Sequence, residues 1–364
     1  MASIASGDAR PTPRSVLAAQ KILQRHAYAV VPLSLLVVLF IVNAAIQPQF
    51  LAVHTWASSM SVLCPLVLTA MAVTLPVLSG NGGIDLSVGP LAGFMTVFIS
   101  AILVPAGITT PGLVIPIVLL FGLLSGAVNG LLVAYVRLPA IIATLGMYLF
   151  YEGLGTEVLP QAGGNVPVWL VTINGSYGGI PDVWFVFAIV AVLWLLVSRG
   201  SYLRSLLSVG GDERAAFTAG VHVARLRLVT YAFAGVLACL AGLMLTGLIQ
   251  DGDGTVGPPY TISAITAVAL GGISLAGGRG GLLGGALGGG VLFLIQELLT
   301  DAHVSVYQVS VVDGIILIGA LALNGTVEYL RRRSSTSPSG ISLADARVAP
   351  PADGGALTGT GSGA

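Results

Sequence analysis

Long apolar runs separated by short polar breaks make up most of this 364-residue chain. The runs contain 15 to 26 residues, close to the roughly 20 residues that cross a bilayer as an α-helix. A helix satisfies its backbone polar groups internally, which lipid cannot do, so each run predicts a membrane-spanning helix. About ten spans are predicted, near 27–46, 61–79, 89–104, 112–135, 139–158, 182–198, 228–249, 260–276, 281–299 and 307–325.

The basic residues fall on one side of this arrangement. With the N-terminus inside, the cytoplasmic segments are 1–26, 80–88, 136–138, 199–227, 277–280 and 326–364. All fifteen Lys and Arg residues lie in these segments and none lies in an outward loop. Cytoplasmic loops carry such an excess of Lys and Arg in membrane proteins. We therefore predict an all-α polytopic membrane protein with interrupted helices and both termini in the cytoplasm.

The two ends of the chain differ in composition from its middle. Residues 1–26 are polar and basic, and residues 331–364 combine a basic cluster with Ser, Pro, Gly and Ala, so both are predicted to be disordered cytoplasmic tails. The transmembrane domain is expected at 27–330. Its first run, 27–46, has some features of a signal peptide, but the charge topology favours a retained span.

Composition excludes several classes of function. Only 8% of the residues are charged and the formal net charge is zero, which gives no case for nucleic-acid binding. Neither the four histidines nor the two cysteines have metal-ligand spacing, so we predict no metal site, and Cys64 and Cys239 lie inside apolar runs where membrane packing explains them. The single lysine, Lys21, lies in the N-terminal tail, so no Walker A loop is present. We expect no catalytic residues, no enzyme activity and no cofactor, and any ATP to be bound by another polypeptide.

One polar segment, 199–227, interrupts the membrane-embedded sequence and carries five arginines. At its centre, a short helix is predicted that begins with a cap from Asp212 and ends where Gly220 adopts a left-handed conformation. A helix of seven residues is not stable alone, so a partner is expected to dock on it. Glu213 either favours the helix N-terminus electrostatically or contacts that partner. The candidate coupling residues are Asp212, Glu213, Arg214, Ala215, Ala216, Phe217, Thr218, Ala219 and Gly220.

Two glycine-rich breaks lie far apart in the chain. The first, 79–89, contains Asp85 and Ser87, and the second, 271–281, contains Ser274. Asp85 either caps the next helix or contacts a substrate or gate. Interrupted helices in corresponding places of two halves indicate a transport pathway.

Two further polar residues lie inside predicted spans. Thr144 is expected to bond its own backbone, whereas Asn129 either joins helices or lines a pathway. With Asp85, Ser87 and Ser274 they complete our set of pathway or gate candidates. Gly280, Gly284 and Gly288 recur every four residues, which predicts either close helix packing or a sliding helix pair.

Four segments carry a resemblance to a known family. They are 82–89 (GGIDLSVG), 129–133 (NGLLV) with 139–146 (PAIIATLG), 213–216 (ERAA) ending at 220–221 (GV), and 269–280 (ALGGISLAGGRG). In these segments the chain resembles the permease subunits of bacterial ATP-binding-cassette (ABC) importers for monosaccharides, the ribose/xylose/arabinose/galactose-type permeases. The similarity covers roughly residues 30–330.

The resemblance implies a bacterial plasma (inner) membrane location and several partners. These are a second permease copy in a homodimer or heterodimer, with the homodimer expected, two cytoplasmic ATPase subunits that bind ATP, and an extracytoplasmic binding protein that delivers a monosaccharide. The family's coupling helix maps onto 213–219, within the coupling loop 199–227. The chain departs from the family at Tyr151-Glu152, where a basic residue is common, and in its outer loop 159–181.

Three alternatives stay open on the sequence. The same importer class could carry an amino acid, a nucleoside or a signalling sugar. An ion-coupled carrier or channel would depend on an intramembrane carboxylate such as Asp313 or Glu297. A membrane enzyme such as a lipid-linked sugar transferase would need a catalytic polar cluster at one membrane surface, where loop 199–227 offers mostly arginines.

Overall fold

The computed structural model describes residues 27–177 and 180–335, and most of them are helical. Of the predicted tails 1–26 and 331–364, the structure describes only residues 331–335, which are helical where disorder was predicted; the rest lies outside the described residues. The α-helices are α1 Val30–Ile46, α2 Val53–Leu78, α3 Val88–Val97, α4 Pro111–Ala134, α5 Ala140–Val158, α6 Val168–Thr172, α7 Val183–Arg199, α8 Ser201–Gly211, α9 Glu213–Thr218, α10 Val223–Ile249, α11 Pro258–Leu270, α12 Leu282–Asp301 and α13 Val306–Ser335.

Short elements complete the described chain. A π-helical segment, Phe98–Leu103, continues α3, and 3₁₀ turns occupy Ala27–Ala29, Pro48–Leu51 and Gly254–Val256. In the outer loop, β1 (Ser176–Tyr177) pairs antiparallel with β2 (Ile180–Pro181). By its internal contacts the chain divides into residues 1–324 and residues 325–364, and of the second unit the structure describes the helical residues 325–335.

A helix occupies each of the ten predicted spans, with some differences in length. α2 begins at Val53, well before the predicted start at residue 61. α11 ends at Leu270 instead of residue 276, because Gly271 closes the helix and Gly272 follows with φ +70°. Ser274 therefore lies in the connection after α11 and not within a span.

By length and composition, four of the described helices could cross a membrane: Thr55–Leu78, Pro111–Ala134, Val223–Ile249 and Leu282–Asp301. A fifth crossing results if α7 and α8, which are bent by 75° at Gly200, count as one broken span. Val30–Ile46, Val88–Leu103 and Tyr307–Ala322 are apolar but shorter. The count of ten crossings stays a prediction.

The centre of the fold is built around α2, α3 and α10. All ten residues of α3 are buried. α10 packs closely on α4, since a Cβ at Gly126 would fall on the Tyr231 carbonyl and a Cβ at Gly235 on the Gly122 carbonyl. Bare backbone on both helices therefore permits the close approach that small residues give in membrane helices.

The glycines of α12 face two neighbours. Cβ atoms at Gly284 and Gly288 would meet the backbone of residues 267–271 at the end of α11. Gly285 and Gly289 face α2 instead, next to Ala70 and Val67. Gly280 does not belong to this stripe, because α12 begins only at Leu282 and Gly280 precedes it with φ +119°.

Candidate functional site

The short helix α9 has the geometry that its sequence predicts. Asp212 lies at the N-cap in an extended conformation, and its Oδ1 accepts a hydrogen bond of 3.0 Å from the Ala215 N–H. The helix covers the six residues Glu213–Thr218, and Gly220 follows with φ +88°. This positive φ is one that Gly adopts without strain and that commonly ends a helix.

The two faces of α9 differ in exposure. Ala216 is buried and packs with Val209 of α8 and Val223 of α10. Phe217 points away from this cluster, with 69% of its surface exposed. The other predicted coupling side chains, those of Arg214, Ala215, Thr218 and Ala219, are exposed as well. Ala216 therefore anchors α9 to the fold, whereas the side chain of Phe217 stays exposed.

A charged contact ties α9 to α10. The Arg227 guanidinium donates two hydrogen bonds to the Glu213 carboxylate, from Nη1 to Oε1 at 3.1 Å and from Nη2 to Oε2 at 2.7 Å. The Arg227 side chain is only 9% exposed, whereas that of Glu213 is 44% exposed. In the sequence Arg227 is only one of five arginines in segment 199–227, because a spacing of 14 residues across a turn gives no local signal of this pair.

An open cavity of about 1440 Å³ lies beside this contact. It is lined by the first glycine break, by the connection that joins α4 to α5, by α9 and by the start of α10. Its polar lining includes Asn81, Arg137, Arg214, His222, Arg225 and Tyr231. On the predicted topology, this cavity opens toward the cytoplasm. Residues of α9 form part of its wall.

Four of the five predicted pathway residues meet in one buried cluster. The Asn129 amide of α4 donates to Ser87 Oγ at 2.8 Å and to the Asp85 carboxylate at 3.4–3.5 Å. Thr144 Oγ1 of α5 donates to the Ile84 carbonyl at 3.3 Å and to the Ala140 carbonyl at 2.9 Å. The cluster thus fastens the first glycine break to α4 and α5.

Asp85 does not cap α3 in the way that the simplest interpretation of the sequence predicts. Its Oδ1 accepts from the N–H and the Oγ of Ser87, at 2.9 and 2.7 Å, so it closes a turn just before the helix. Ser87 occupies the N-cap position without a side-chain cap bond. Asp85 and Asn129 are 2% and 1% exposed, and the Asn129 Oδ1 has no hydrogen-bond partner within the described chain.

Ser274 lies elsewhere, in a junction of glycines. Its N–H donates to the Arg279 carbonyl at 3.1 Å, and no hydrogen bond between described residues joins it to the Asp85 cluster. In this junction the Gly278 N–H donates to the carbonyl of Leu78, the last residue of α2, at 3.2 Å. A Cβ at Gly277 would fall on the backbone of Gly80, so the two glycine breaks contact each other. Gly210 of α8 lies between them, with bare backbone against both.

Two further groups were missed by the sequence analysis. Ser125 Oγ and Tyr151 Oη form a hydrogen bond of 2.5 Å. Ser125 lies four residues before Asn129 on α4, and this spacing indicates that the two polar side chains share one face of the helix. The Tyr231 hydroxyl lines the cavity, is buried and has no protein partner among the described residues.

The described residues contain no group of three His, Cys, Asp or Glu side chains that could hold a metal ion. The polar groups of the site include one buried carboxylate, an amide, hydroxyls, an ion pair and the basic side chains that line the cavity. Such groups can hold helices together or bind hydroxyl-bearing solutes through hydrogen bonds.

The sequence of this chain matches known transport proteins. The family model described as "Branched-chain amino acid transport system / permease component" matches residues 56–321. The chain is also 31% identical over 304 residues to the autoinducer 2 import system permease protein LsrC of Escherichia coli O9:H4 (strain HS), which covers 82% of this chain and 87% of that protein. The LsrC protein of Salmonella choleraesuis (strain SC-B67) is 30% identical over 320 residues, 86% of this chain and 90% of that protein.

No solved structure gives a significant match to the chain. The family match covers well over half of the sequence and includes the first glycine break, the Asp85 cluster, α9 and the second break. The chain therefore belongs to the family of permease components of ABC importers, the class that its glycine-rich motifs indicate.

Proposed function

We propose that this chain is the permease subunit of an ATP-driven importer that carries a monosaccharide delivered by an extracytoplasmic binding protein. The observation that supports this most strongly is the docking helix α9, which is capped by Asp212, exposes Phe217 and is tied to α10 by the Glu213–Arg227 pair. An isolated helix of this length is unstable, so its construction fits a surface on which another protein acts.

The assembly proposed here has four kinds of component. Two copies of the chain form the membrane core as a homodimer, each with ten crossings and both termini in the cytoplasm. Two cytoplasmic ATPase subunits bind ATP and dock on α9, since the sequence contains no Walker A loop. The binding protein approaches from the outside of the bacterial inner membrane.

The contacts suggest two routes by which a movement of α9 reaches the membrane. Through Glu213 and Arg227 it acts on α10, one of the long helices of the fold. Through the end of α8 it acts on Gly210, which lies against both glycine breaks. The first break carries Asp85, so the second route ends at the polar cluster. Packed interfaces with two arrangements convert such small shifts into an opening or a closure.

The identity of the transported solute is a separate part of the proposal. A monosaccharide fits the glycine-rich motifs and the hydroxyl, amide and carboxylate groups of the cluster. Autoinducer 2 is the second candidate, because the relatives at 31% and 30% identity are named as autoinducer 2 import permeases. Either solute would need only weak contacts in the permease, since tight binding would slow release.

Purification of the tagged chain from its native membrane in mild detergent tests the proposal. We expect an ATP-binding subunit and a sugar-binding protein to co-purify, and mass spectrometry of the bound small molecule to identify the solute. Reconstituted into liposomes, this complex should take up D-ribose or autoinducer 2 only with internal ATP. Uptake by the chain alone, driven by a proton or sodium gradient and lost in Asp313→Asn or Glu297→Gln, would contradict the proposal and favour a carrier.

A further inference from the structure

The cavity beside α9 has more positive charge than its own carboxylates neutralise. Its wall contains two carboxylates and four guanidinium groups, those of Arg137, Arg214, Arg225 and Arg227. Both carboxylates already have partners, since Asp212 caps α9 and Glu213 pairs with Arg227. The guanidinium groups of the other three arginines form no hydrogen bond or ion pair with any described residue. The cavity therefore presents three unpaired cations.

Arg137 contributes its charge from an unusual backbone conformation. It lies in the short connection between α4 and α5 with φ +63°, a region that glycine adopts freely and that L side chains adopt rarely. Residues held in such conformations cluster at ligand clamps and switch regions. A charge that serves only to orient the chain in the membrane can lie anywhere on the cytoplasmic side. Orientation alone therefore does not account for this arginine in the cavity wall.

The first glycine break adds backbone donors to the same wall. Asn81 and Gly82 line the cavity, are exposed, and have positive φ values of +54° and +66°. Their N–H groups form no hydrogen bond with any described residue. Successive N–H groups in a turn form concavities that bind anions. The buried Tyr231 hydroxyl, which has no protein partner among the described residues, is a further polar group of this wall.

The chemistry of these groups selects the class of ligand. Guanidinium and backbone N–H groups donate hydrogen bonds and accept none, so the ligand has to supply acceptor oxygens. A phosphate monoester carries about −1.5 to −2 charges at pH 7 and three strong acceptor oxygens. The cavity of about 1440 Å³ is larger than the roughly 300–1,000 Å³ that is usual for a small-molecule site. It therefore has room for an organic group attached to the phosphate.

We propose that this cavity binds a small phosphorylated molecule from the cytoplasm, held by Arg137, Arg214 and Arg225, and that this binding inhibits transport. The binding site is independent of the proposed importer function, and only the effect on uptake rests on that function. The ligand would contact four segments that are distant in sequence: the first glycine break, the connection between α4 and α5, α9 and the start of α10. A ligand stabilises the arrangement to which it binds. It would therefore restrain α9 against the movement that ATP-driven uptake requires.

Isothermal titration calorimetry on the purified full chain in dodecyl maltoside tests the site. The probe is D-ribose 5-phosphate, and D-ribose is the matched compound without the phosphate. The test variants are Arg137→Gly and Arg225→Gln. Glycine adopts the positive φ of residue 137 without strain, so the first variant removes the charge and keeps the backbone conformation. Arg204→Gln is the matched control, because this exposed arginine of α8 does not line the cavity.

We expect D-ribose 5-phosphate to bind at least ten times more tightly than D-ribose, and its affinity to fall with added salt, which screens exposed charges. Arg137→Gly and Arg225→Gln should each weaken binding at least fivefold, and Arg204→Gln less than twofold. Equal affinity for the two sugars, or an equal loss in Arg204→Gln and Arg137→Gly, would overturn the site.

A lipid headgroup could supply the same phosphate chemistry, so dioleoyl phosphatidic acid is titrated in the same detergent. We expect it to bind at least tenfold more weakly than D-ribose 5-phosphate. Binding of phosphatidic acid that is lost in Arg137→Gly, without binding of D-ribose 5-phosphate, would overturn the assignment to a soluble ligand.

The effect on transport is measured with the whole importer in proteoliposomes, with D-ribose 5-phosphate on the side that contains ATP. At ten times its dissociation constant it should reduce uptake at least threefold. Arg137→Gly and Arg225→Gln should each lose most of this inhibition, relative to their own uptake without the compound. Full uptake by the unmodified importer under these conditions would overturn the inhibitory role. If neither D-ribose nor autoinducer 2 enters with ATP, the proposed function fails, whereas the calorimetry still decides whether the cavity binds phosphate.

Discussion

The Arg227 guanidinium of α10 holds the Glu213 carboxylate of α9 through two parallel hydrogen bonds, at 3.1 and 2.7 Å. Because Arg227 is nearly buried and Glu213 is half-exposed, the pair connects the interior of the fold to the docking surface. A paired geometry of this kind fixes orientation as well as distance. In the proposed importer, this contact is the link through which a movement of α9 would reach α10.

Glu213→Gln should uncouple ATP hydrolysis from uptake. It leaves the Arg227 charge without a carboxylate, and since Glu213 is part-exposed we expect a loss of only about 1 kcal/mol in the free energy of unfolding. Uptake should fall at least tenfold while the ATPase subunits continue to hydrolyse ATP. Both activities are measured in proteoliposomes.

Two further variants define the role of the pair. Arg204→Ala removes an exposed charge from α8 and should leave uptake near the unmodified value. The exchange of Glu213→Arg with Arg227→Glu restores opposite charges and should recover part of the activity. If Glu213→Gln transports at the full rate, the pair is a structural contact without a role in coupling.

Phe217→Ala should weaken docking of the ATPase subunits. An exposed aromatic side chain at the centre of an interface commonly contributes about 2 kcal/mol or more, which corresponds to roughly 30-fold weaker binding. Since 69% of Phe217 is exposed, its removal should not change the melting temperature of the purified chain. The measurement is the yield of ATPase subunit retained on the tagged permease.

Combined with Glu213→Ala, the Phe217→Ala substitution should abolish uptake while insertion into the membrane stays normal. Val168→Ala, in the outer part of the chain and 78% exposed, controls for the loss of an exposed apolar side chain. Full transport by the double variant would show that α9 is not the docking helix.

Asn129→Leu should destabilise the chain through the groups that it leaves behind. Ser87 and Asp85 lose a buried donor, and an unsatisfied buried polar group costs about 1–3 kcal/mol. Asn43→Leu is the matched control, because the amide of that buried asparagine bonds only to the carbonyls of Leu39 and Leu294. A melting temperature that falls no further in Asn129→Leu than in Asn43→Leu would contradict the expected penalty for the unpaired Ser87 and Asp85.

Tyr231→Phe should reduce uptake without loss of stability. The hydroxyl has no protein partner in the described chain and lines the cavity, so its removal breaks no internal hydrogen bond. Tyr202→Phe is the contrasting variant, since its hydroxyl bonds to Thr230 at 3.0 Å and its loss should cost about 1 kcal/mol. If Tyr231→Phe melts lower and transports normally, the hydroxyl has a structural role that involves water.

The helices and the docking segment follow from local signals in the sequence. Apolar runs bounded by Gly, Pro or charge give the positions of the ten helices, and the cap at Asp212 and the terminal Gly220 give α9 nearly to the residue. These features depend on residues within one or two turns of each other, which is the range in which capping and periodicity act.

Long-range contacts could not be predicted in the same way. The pairing of Glu213 with Arg227 and the hydrogen bond of Asn129 to Ser87 join residues whose neighbourhood depends on how whole helices pack. The sequence predicts that Asp85 caps a helix or contacts a substrate. Its side chain instead accepts a hydrogen bond from the Ser87 N–H, in the turn that precedes the helix. The two arrangements differ only in the backbone conformation around residue 85. For Gly280 a local pattern was misleading. The four-residue repeat Gly280, Gly284 and Gly288 starts in the sequence before Leu282, where the helix begins.

Gly210→Ala should block coupling by separating the two glycine breaks. Its Cβ would fall on the Leu78 carbonyl and the Gly278 N–H, which are hydrogen-bonded to each other at 3.2 Å. Both obstacles are backbone atoms, so no side chain can rotate away, and a shift of α8 or of a glycine break is required.

Gly211→Ala is a close control, because a Cβ added at Gly211, the next residue of the same helix, would meet no atom within 4 Å. We expect Gly210→Ala to lose at least 90% of ATP-driven uptake and to melt several degrees lower, and Gly211→Ala to keep both near the unmodified values. Equal uptake in the two variants would show that the glycine junction does not transmit movement from α9 to the first break.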